Sequence, residues 1–179
     1  MRWINIKKDE LVGLECINPK NDKHILRLSP NSKNMEKDDC YLFLWVTSPF
    51  LEKGFEVIHS WGFKYATVGF VWIKMKNDMS GVRLDGLGKY TISNAEYCLI
   101  GTKGKYWRNA KNVKQIVEYP KTRHSEKPKE IRNRIVSLCG DVPRVELFAR
   151  DLCDGWDSVG NEIDGKDIRE VIGLKSITE

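Results

Sequence analysis

The alternation of apolar and polar positions divides the chain into a polar N-terminal stretch and a core of alternating strands and helices. Residues 1–39 hold turn-forming clusters such as Asn18-Pro19 and Ser29-Pro30, and we expect this stretch to be irregular. From Cys40 the pattern changes, because Cys40–Thr47 is almost continuously apolar. Such a run is typical of a strand that is covered on both faces.

Helical periodicity follows this first strand. Ser48 can cap a helix and Pro49 suits its first turn. Apolar side chains then recur at steps of three and four residues, at Leu51, Phe55, Ile58 and Trp61. Gly62 is expected to end this helix. A second helix is predicted to open at Pro128 and to end at Gly140. Further strands are predicted at 65–74, 96–101, 113–119 and 144–149, followed by an irregular tail.

Strands of this composition, alternating with helices, predict an α/β fold with a mostly parallel sheet. We expect segments 40–47, 65–74, 96–101 and 144–149 to share that sheet. Ligands of such sheets bind beyond the carboxyl ends of the strands. Residues at those ends are Thr47, Lys74, Thr102 and Arg150. The length of 179 residues suits one domain, with its core at 40–164.

Charge and cysteine usage narrow the possible partners. The net charge is +5, which permits a polyanionic partner such as nucleic acid without requiring one. Neither a secretory signal nor an apolar run long enough for a membrane helix occurs, so we expect no membrane partner. The five cysteines form no CxxC pair, and the three histidines lack metal spacing. We therefore expect no metal and a reducing, intracellular compartment.

Two segments carry side chains suited to binding a nucleoside or an anion. At the end of strand 144–149, Glu146 or Arg150 could hydrogen-bond a ribose diol, although a salt-bridged strand end is the commoner explanation of this pattern alone. Residues 125–128 lead into a helix N-terminus, where Lys127 could hold a carboxylate or phosphate. A capping segment with solvated lysines explains the same residues equally well.

Two further segments can be interpreted either as binding sites or as ordinary surface structure. In the Gly-rich tail 155–162, Asn161 and Glu162 could hold a diol or an amide, whereas a surface turn anchored by Trp156 is the simpler explanation. The basic positions Lys103, Lys105 and Arg108 stand beside aromatic residues, as in surfaces that contact phosphates and stack bases. A solvated hairpin is the alternative. Neither a Ser/His/Asp or Cys/His nucleophile arrangement nor a Walker-type loop is visible.

Together these segments resemble the mRNA adenosine-N(6) methyltransferase family, named for its 70-kilodalton subunit, which includes bacterial, phage and ciliate DNA adenine methyltransferases. The resemblance covers about 40–164. The matching motifs stand in family order: Leu-Phe-Leu-Trp-Val-Thr-Ser-Pro (42–49), Trp-Gly-Phe-Lys-Tyr (61–65), Val-Trp-Ile-Lys (71–74), Gly-Leu-Gly-Lys-Tyr (86–90), Asn-Ala-Glu-Tyr-Cys-Leu-Ile-Gly-Thr-Lys-Gly (94–104), His-Ser-Glu-Lys-Pro (124–128), Glu-Leu-Phe-Ala-Arg (146–150) and Gly-Trp-Asp-Ser-Val-Gly-Asn-Glu (155–162).

The resemblance implies a Rossmann-like sheet with flanking helices that binds S-adenosylmethionine. It implies that Lys127 faces the cofactor carboxylate, that Glu146 and Arg150 lie at the cofactor-binding strand end, and that Asn161 and Glu162 lie near the ribose. Relatives often have glutamine where this chain has Glu162. Nucleic acid, DNA rather than RNA, is the implied substrate, and a second methyltransferase subunit is a possible partner. The implied compartment is the cytoplasm for a bacterial or phage protein and the nucleus for a eukaryotic one.

The sequence departs from the family at the catalytic motif. Family members carry Asp-Pro-Pro-Trp before the segment that begins here at Cys40, whereas this chain has no Pro-Pro pair. We therefore assign no catalytic residue and expect the missing piece upstream of Met1. The chain is then a truncated product, or an inactive member that binds nucleic acid or supports a partner, or it uses unrecognised residues. An alternative from a different functional class is a nucleic-acid-binding scaffold with an empty cofactor pocket. Calorimetric measurement of cofactor binding distinguishes this scaffold from the enzyme-like alternatives.

Overall fold

The computed structural model describes residues 15–17, 24–27, 39–84, 88–105, 108–122, 126–142 and 144–165. Most of the stretch expected to be irregular, together with Ser125, lies outside these residues. The elements in chain order are β1 (Glu15–Ile17), β2 (His24–Arg27), β3 (Cys40–Thr47), α1 (Leu51–Ser60), β4 (Lys64–Met75), β5 (Ala95–Lys103), β6 (Ile116–Pro120), α2 (Glu130–Cys139), β7 (Val145–Leu147), β8 (Asp157–Val159) and α3 (Asn161–Asp164).

The predicted α/β class is confirmed, and β3 has the bounds that its apolar run predicts. Ser48 and Pro49 lie in a single 3₁₀ turn, Ser48–Phe50, so α1 begins three residues after the expected cap. Both helices end where a glycine breaks the helical backbone, with φ of 74° at Gly62 and 84° at Gly140. Two short strands, β1 and β2, pair antiparallel within the stretch expected to be irregular. The assignment of one domain to the whole chain stays a prediction.

Two apolar cores lie on opposite faces of the main sheet. On one face Cys40, Leu42 and Val46 pack with Ile58 of α1. On the other face Tyr41 packs with Ile131, Ile135 and Cys139, the buried side chains of α2. Because successive side chains of a strand point to opposite faces, the unbroken apolar run of β3 supplies both cores at once. The chain therefore forms a helix–sheet–helix arrangement around this strand.

The main sheet is mixed rather than mostly parallel. Its strand order is β3-β5-β4-β6, in which β5 runs antiparallel to both neighbours and only β4 and β6 pair parallel. The expectation of a mostly parallel sheet was wrong because the described residues of the 76–94 connection form no helix, and without a helical crossover β5 returns antiparallel to β4. Because β5 is antiparallel to β3 and β4, Thr102 lies at the end of the sheet opposite to that of Thr47 and Lys74.

The prediction that 144–149 belongs to the main sheet was also wrong. The strand is shorter, Val145–Leu147, and it pairs parallel with β8 in a separate two-stranded sheet. The tail expected to be irregular supplies that partner strand and the short helix α3. Phe148 has a left-handed backbone with φ of 60°, which ends the extended run early.

Close backbone approach joins the end of this small sheet to the tail. A Cβ added at Gly160 would lie closer than any van der Waals contact to the main-chain oxygen of Ala149, and 2.7 Å from its nitrogen. Since main-chain atoms of a buried residue cannot turn aside, only glycine fits at this position. Ala149 is 1% exposed, so the contact is part of the interior.

We predict that Gly160→Ala lowers the free energy of unfolding by about 1–3 kcal/mol through overpacking. The matched control is Gly81→Ala, because a Cβ at Gly81 meets nothing within 4 Å. That control should change the stability by less than about 1 kcal/mol. Urea unfolding of the three proteins measures both effects. Equal stability of the two variants would contradict the close approach of residues 149 and 160.

Candidate cofactor and nucleic-acid site

A cavity of about 410 Å³ lies beside β3 and is lined by residues from β3, α2, β7 and the segments around them. Its apolar wall includes Leu42, Leu44 and Trp61, and its polar groups include Lys127, Glu146 and Arg150. Three of the side chains expected from the sequence to bind a cofactor therefore line one space. The positions are far apart in the chain, and the fold brings them together.

Lys127 is held by a buried carboxylate that the sequence analysis did not single out. Its Nζ lies 2.6 Å from Oε2 of Glu96, while Nζ of Lys74 lies 2.8 Å from Oε1 of the same residue. Glu96 is 7% exposed and sits in β5 opposite Thr47, at the end of β3. One carboxylate thus links β4, β5 and the segment leading into α2. An ammonium has three N–H donors, so Lys127 keeps two for other acceptors.

Two tryptophans flank these charges. The rings of Trp45 and Trp72 meet edge to face, with centroids 6.5 Å apart. Nζ of Lys127 lies 5.7 Å from the centroid of Trp45 and 6.0 Å from that of Trp72, within the range of a cation–π attraction. The Trp72 indole N–H donates to the main-chain oxygen of Tyr119 at 2.8 Å, which fixes its ring.

The pKa of Glu96 reflects these opposing influences. Burial raises it, but the hydrogen bonds and positive charges of Lys127 and Lys74 outweigh burial, so the pKa lies below its ordinary value. The carboxylate is therefore charged at neutral pH. Burial also raises the pKa of the thiols of Cys98 and Cys139, the latter to about 12, so neither is a thiolate nucleophile at neutral pH.

Glu146 is positioned by a cation on α2. The Arg132 Nε donates to its Oε2 at 2.7 Å, which leaves Oε1 as a further acceptor. Burial tends to lower the pKa of the Arg132 guanidinium, but the hydrogen bond and charge of Glu146 raise it overall. The pair is partly buried, with side-chain exposures of 18% and 28%. Glu146 therefore lines the cavity with one of its carboxylate oxygens held by Arg132.

Arg150 and the tail residues meet at the end of β7. Nη1 of Arg150 lies 2.8 Å from Oε1 of Glu162, so these two predicted site residues form an ion pair. Asn161 begins α3 one residue before Glu162, but its side chain lies outside the described atoms. Trp156 is half-buried and packs beside the α2 core, which agrees with the packing anchor considered for this tail.

The basic positions Lys103, Lys105 and Arg108 lie away from Lys127. Lys103 ends β5 and pairs with Cys40 at the start of β3, whereas Glu96 pairs with Thr47 at its end. At about 3.3 Å per residue, the seven steps from 96 to 103 span roughly 23 Å. Lys105 and Arg108 are exposed. The structure therefore does not bring these three residues together with the polar groups of the cavity.

The groups at the cavity suit a ligand with a carboxylate, a diol and an aromatic base. Two spare N–H donors of Lys127 match a carboxylate, the free oxygen of Glu146 matches a hydroxyl, and Phe148 offers an apolar surface that is 55% exposed. S-adenosylmethionine has all three features, so the residues present fit it. Within the described ranges, no group of three or more His, Cys, Asp or Glu side chains is placed to hold a metal ion.

Sequence reasoning missed Glu96 as a site residue. The signal was a carboxylate inside a strand of otherwise apolar residues, since Glu is almost never buried without a partner. Lys74 was noted only as a strand end. Their pairing with Lys127 needed the β4–β5 register, which the sequence does not encode locally. Among the residues that the structure describes, no helix is long and apolar enough to cross a membrane.

Known proteins of one family are similar to this chain in sequence. A family model described as MT-A70 matches residues 7–162. The type II methyltransferase M.MunI of Mycoplasma sp is 40% identical over 128 residues, which is 70% of this chain and 52% of M.MunI. The human N(6)-adenosine-methyltransferase catalytic subunit METTL3 is 31% identical over 138 residues, 72% of this chain and 23% of METTL3. The chain thus spans about half the length of M.MunI and about a quarter of METTL3.

We predict that Glu96→Gln lowers the free energy of unfolding by about 1.5–3 kcal/mol at pH 7, because two partly buried lysines lose a charged acceptor. The control Glu56→Gln breaks only the exposed Lys53–Glu56 pair and should cost less than about 1 kcal/mol. The pKa of Glu96 is lower in the folded protein than in the unfolded one. The contribution of its charge to the free energy of unfolding is therefore fully present above the unfolded pKa and is lost as pH falls through the folded pKa.

Urea unfolding of both variants between pH 3 and pH 7 tests this prediction. The difference between the native protein and Glu96→Gln should shrink only below about pH 4.5. A difference that stays constant with pH would show that the Glu96 charge does not stabilise the fold.

Proposed function

Since the chain belongs to the MT-A70 family of adenine-N6 methyltransferases, we propose that it is the cofactor-binding part of an S-adenosylmethionine-dependent methyltransferase that acts on nucleic acid. One observation carries this proposal: Lys127, Glu146 and Arg150, separated in sequence, line the same cavity. The whole enzyme's activity is part of the proposal, because the chain spans only part of its relatives.

Different side chains at the cavity are proposed to bind different groups of the cofactor. Lys127, already oriented by Glu96, takes the carboxylate with its spare N–H donors. Glu146, held by Arg132, accepts from a ribose hydroxyl. Arg150, which is paired with Glu162, is proposed to close the ribose side, and Asn161, the residue before Glu162 in the chain, is proposed to assist. When bound, S-adenosylmethionine supplies a methyl group on a sulfonium, and the protein's task is to orient that group and exclude water.

Nucleic acid is the proposed substrate, and we favour DNA over RNA, as the resemblance to DNA adenine methyltransferases implies. The exposed Lys105 and Arg108, with Lys103, are proposed to contact phosphates. Since this surface lies away from Lys127, it would anchor the substrate backbone rather than touch the base that receives the methyl group.

The chain as given is proposed to need a further piece for catalysis. Methylation of an adenine amine requires an acceptor for its proton and a surface that fixes the base in an attack geometry. In the family Asp-Pro-Pro-Trp supplies both, and the sequence here has no Pro-Pro pair. We therefore propose a second methyltransferase polypeptide as a partner, as the name of METTL3, a catalytic subunit, suggests for that protein. In this chain Cys40, Cys98 and Cys139 are buried free thiols, which supports our proposal of a reducing compartment, the cytoplasm of a bacterial or phage-infected cell.

We predict that the chain binds S-adenosylmethionine and that Arg150→Ala weakens binding about ten- to a hundredfold, since a charge-assisted hydrogen bond contributes about 1.5–3 kcal/mol. Lys105→Ala, which removes a cation from an exposed turn away from the cavity, is the control and should leave the affinity unchanged. Isothermal titration calorimetry measures the cofactor affinity of the unaltered chain and of both variants. Absence of cofactor binding, together with salt-dependent DNA binding, would instead support the nucleic-acid-binding scaffold.

We also predict that this chain alone does not transfer a methyl group to adenine at a measurable rate. Radiolabelled S-adenosylmethionine with adenine-rich DNA and RNA provides the assay. Robust turnover that Arg150→Ala abolishes would refute the need for the missing motif but keep the pocket. Turnover that survives Arg150→Ala would refute both the need for the missing motif and the assignment of the pocket.

A further inference from the structure

The segment that follows β5 carries an uninterrupted run of positive charge. Between Glu96 and Glu118 the sequence has five lysines or arginines and no acidic residue. Lys103, the first of the five, is half-buried at the end of β5. The other four are exposed and recur at every third position. These four residues form the basic row: Lys105, Arg108, Lys111 and Lys114.

The charges of the basic row are not neutralised by neighbouring carboxylates. Within the described residues none of the four forms an ion pair, whereas Lys127, Arg132 and Arg150 at the cavity each pair with a glutamate. Positive charge at the cavity therefore serves to hold acids in place. The charge of the basic row is available to a partner.

The backbone that carries the basic row is fixed by the uncharged residues between and beside its members. The main-chain N–H of Asn109 donates to the carbonyl of Leu138 at 2.7 Å, in the last turn of α2. The side-chain amide of Gln115 donates to the carbonyl of Val68 at 2.6 Å, and Val113 packs against the α2 core. Because the anchoring groups contact the protein and the cations are exposed, the row holds its charges at fixed positions on the surface.

The basic row lies at the end of α2 that is far from the cofactor cavity. Asn109 contacts the last turn of this helix, whereas Lys127 precedes its first turn. The 10 residues of α2 are about 15 Å long. This agrees with the roughly 23 Å along β5 between Lys103 and Glu96, the residue that holds Lys127. A partner on the basic row therefore leaves the cavity free for the cofactor.

Fixed cations without acids match a partner with a regular array of negative charges. Double-helical DNA has one phosphate charge about every 1.7 Å of its axis, twice the density of a single strand. Sites for single strands add aromatic side chains on which bases stack, and residues 108–114 include none. Reading bases in the major groove needs a helix or a two-stranded ribbon, whereas these residues form an irregular loop. The features favour contact with a duplex backbone.

We propose that the basic row is a binding site for the sugar–phosphate backbone of double-helical DNA, separate from the cofactor cavity and indifferent to base sequence. Lys111 and Lys114 thereby join the positions that contact phosphates, and the surface holds DNA with or without cofactor. The choice of DNA rests on the proposed function, whereas the availability of the four charges rests on the geometry alone.

Fluorescence anisotropy of a labelled duplex of about 20 base pairs, titrated with the full chain between about 50 and 200 mM salt, tests this proposal. Each neutralised phosphate contributes about −0.9 to the slope of log affinity against log salt, so four contacts give a slope of about −3.6. The affinity should therefore fall about 150-fold over this range. It should be equal for two duplexes of different sequence and unchanged when S-adenosylmethionine is added.

Two double variants with the same change in net charge locate the site. Lys111→Gln combined with Lys114→Gln should weaken binding and reduce the slope to about −1.8. The matched control combines Lys53→Gln in α1 with Lys129→Gln just before α2, and it should leave the slope unchanged. Lys111→Arg combined with Lys114→Arg keeps both charges and should bind like the unaltered chain. All four side chains are exposed or half-exposed, so these substitutions should not unfold the protein.

Three results would overturn the proposal. Equal losses of affinity in the glutamine variant and its matched control would show that net charge alone attracts DNA. Tighter binding of a single strand of the same length would exclude the duplex as the preferred partner. Preferential binding of polyglutamate would identify an acidic polypeptide as the partner instead.

Calorimetry with S-adenosylmethionine separates this proposal from the proposed function. Cofactor binding without DNA binding refutes the basic row as a DNA site and leaves the cofactor assignment. DNA binding that depends on Lys111 and Lys114, without cofactor binding, refutes the cofactor assignment and leaves the basic row.

Discussion

The buried carboxylate of Glu96 is the interaction that organises the candidate site. It accepts from Lys74 and Lys127 on its two oxygens and thereby fixes three segments that are distant in sequence. Without this carboxylate, two cations would stand side by side next to Trp45 and Trp72 with no counter-charge. The pairing costs desolvation of all three groups, and the hydrogen bonds offset that cost only because the geometry is close. The position of Lys127 at the cavity wall follows from this pairing.

β3 is the second constraint, since its apolar run supplies both cores and one wall of the cavity. Gly54 of α1 allows close packing on this strand, because a Cβ there would lie 2.7 Å from Cγ1 of Val46. On the other face, Arg134 of α2 donates to the main-chain oxygens of Lys114 and Ile116, both at 2.7 Å, and so holds the helix against β6. The layers are thus well fixed on the side away from the cavity.

The sequence predicted the local structure better than its assembly. The bounds of β3, the amphipathic helix α1 and the glycine stops at Gly62 and Gly140 followed from local patterns of apolar and turn-forming residues. The antiparallel course of β5 and the separate pairing of β7 with β8 depend on which strands meet, and composition does not encode that choice. For the same reason motifs indicated Lys127, Glu146 and Arg150, whereas Glu96 appeared only once the strand register placed it beside two lysines.

We propose that Lys127, oriented by Glu96, holds the cofactor carboxylate. Calorimetric titration of S-adenosylmethionine into Lys127→Met and into Lys129→Met tests it most directly, because Lys129 is an exposed lysine two residues away. Both substitutions remove one positive charge from the same segment. We predict at least a tenfold loss of affinity for Lys127→Met and an unchanged affinity for Lys129→Met. Equal affinities of the two variants would contradict it.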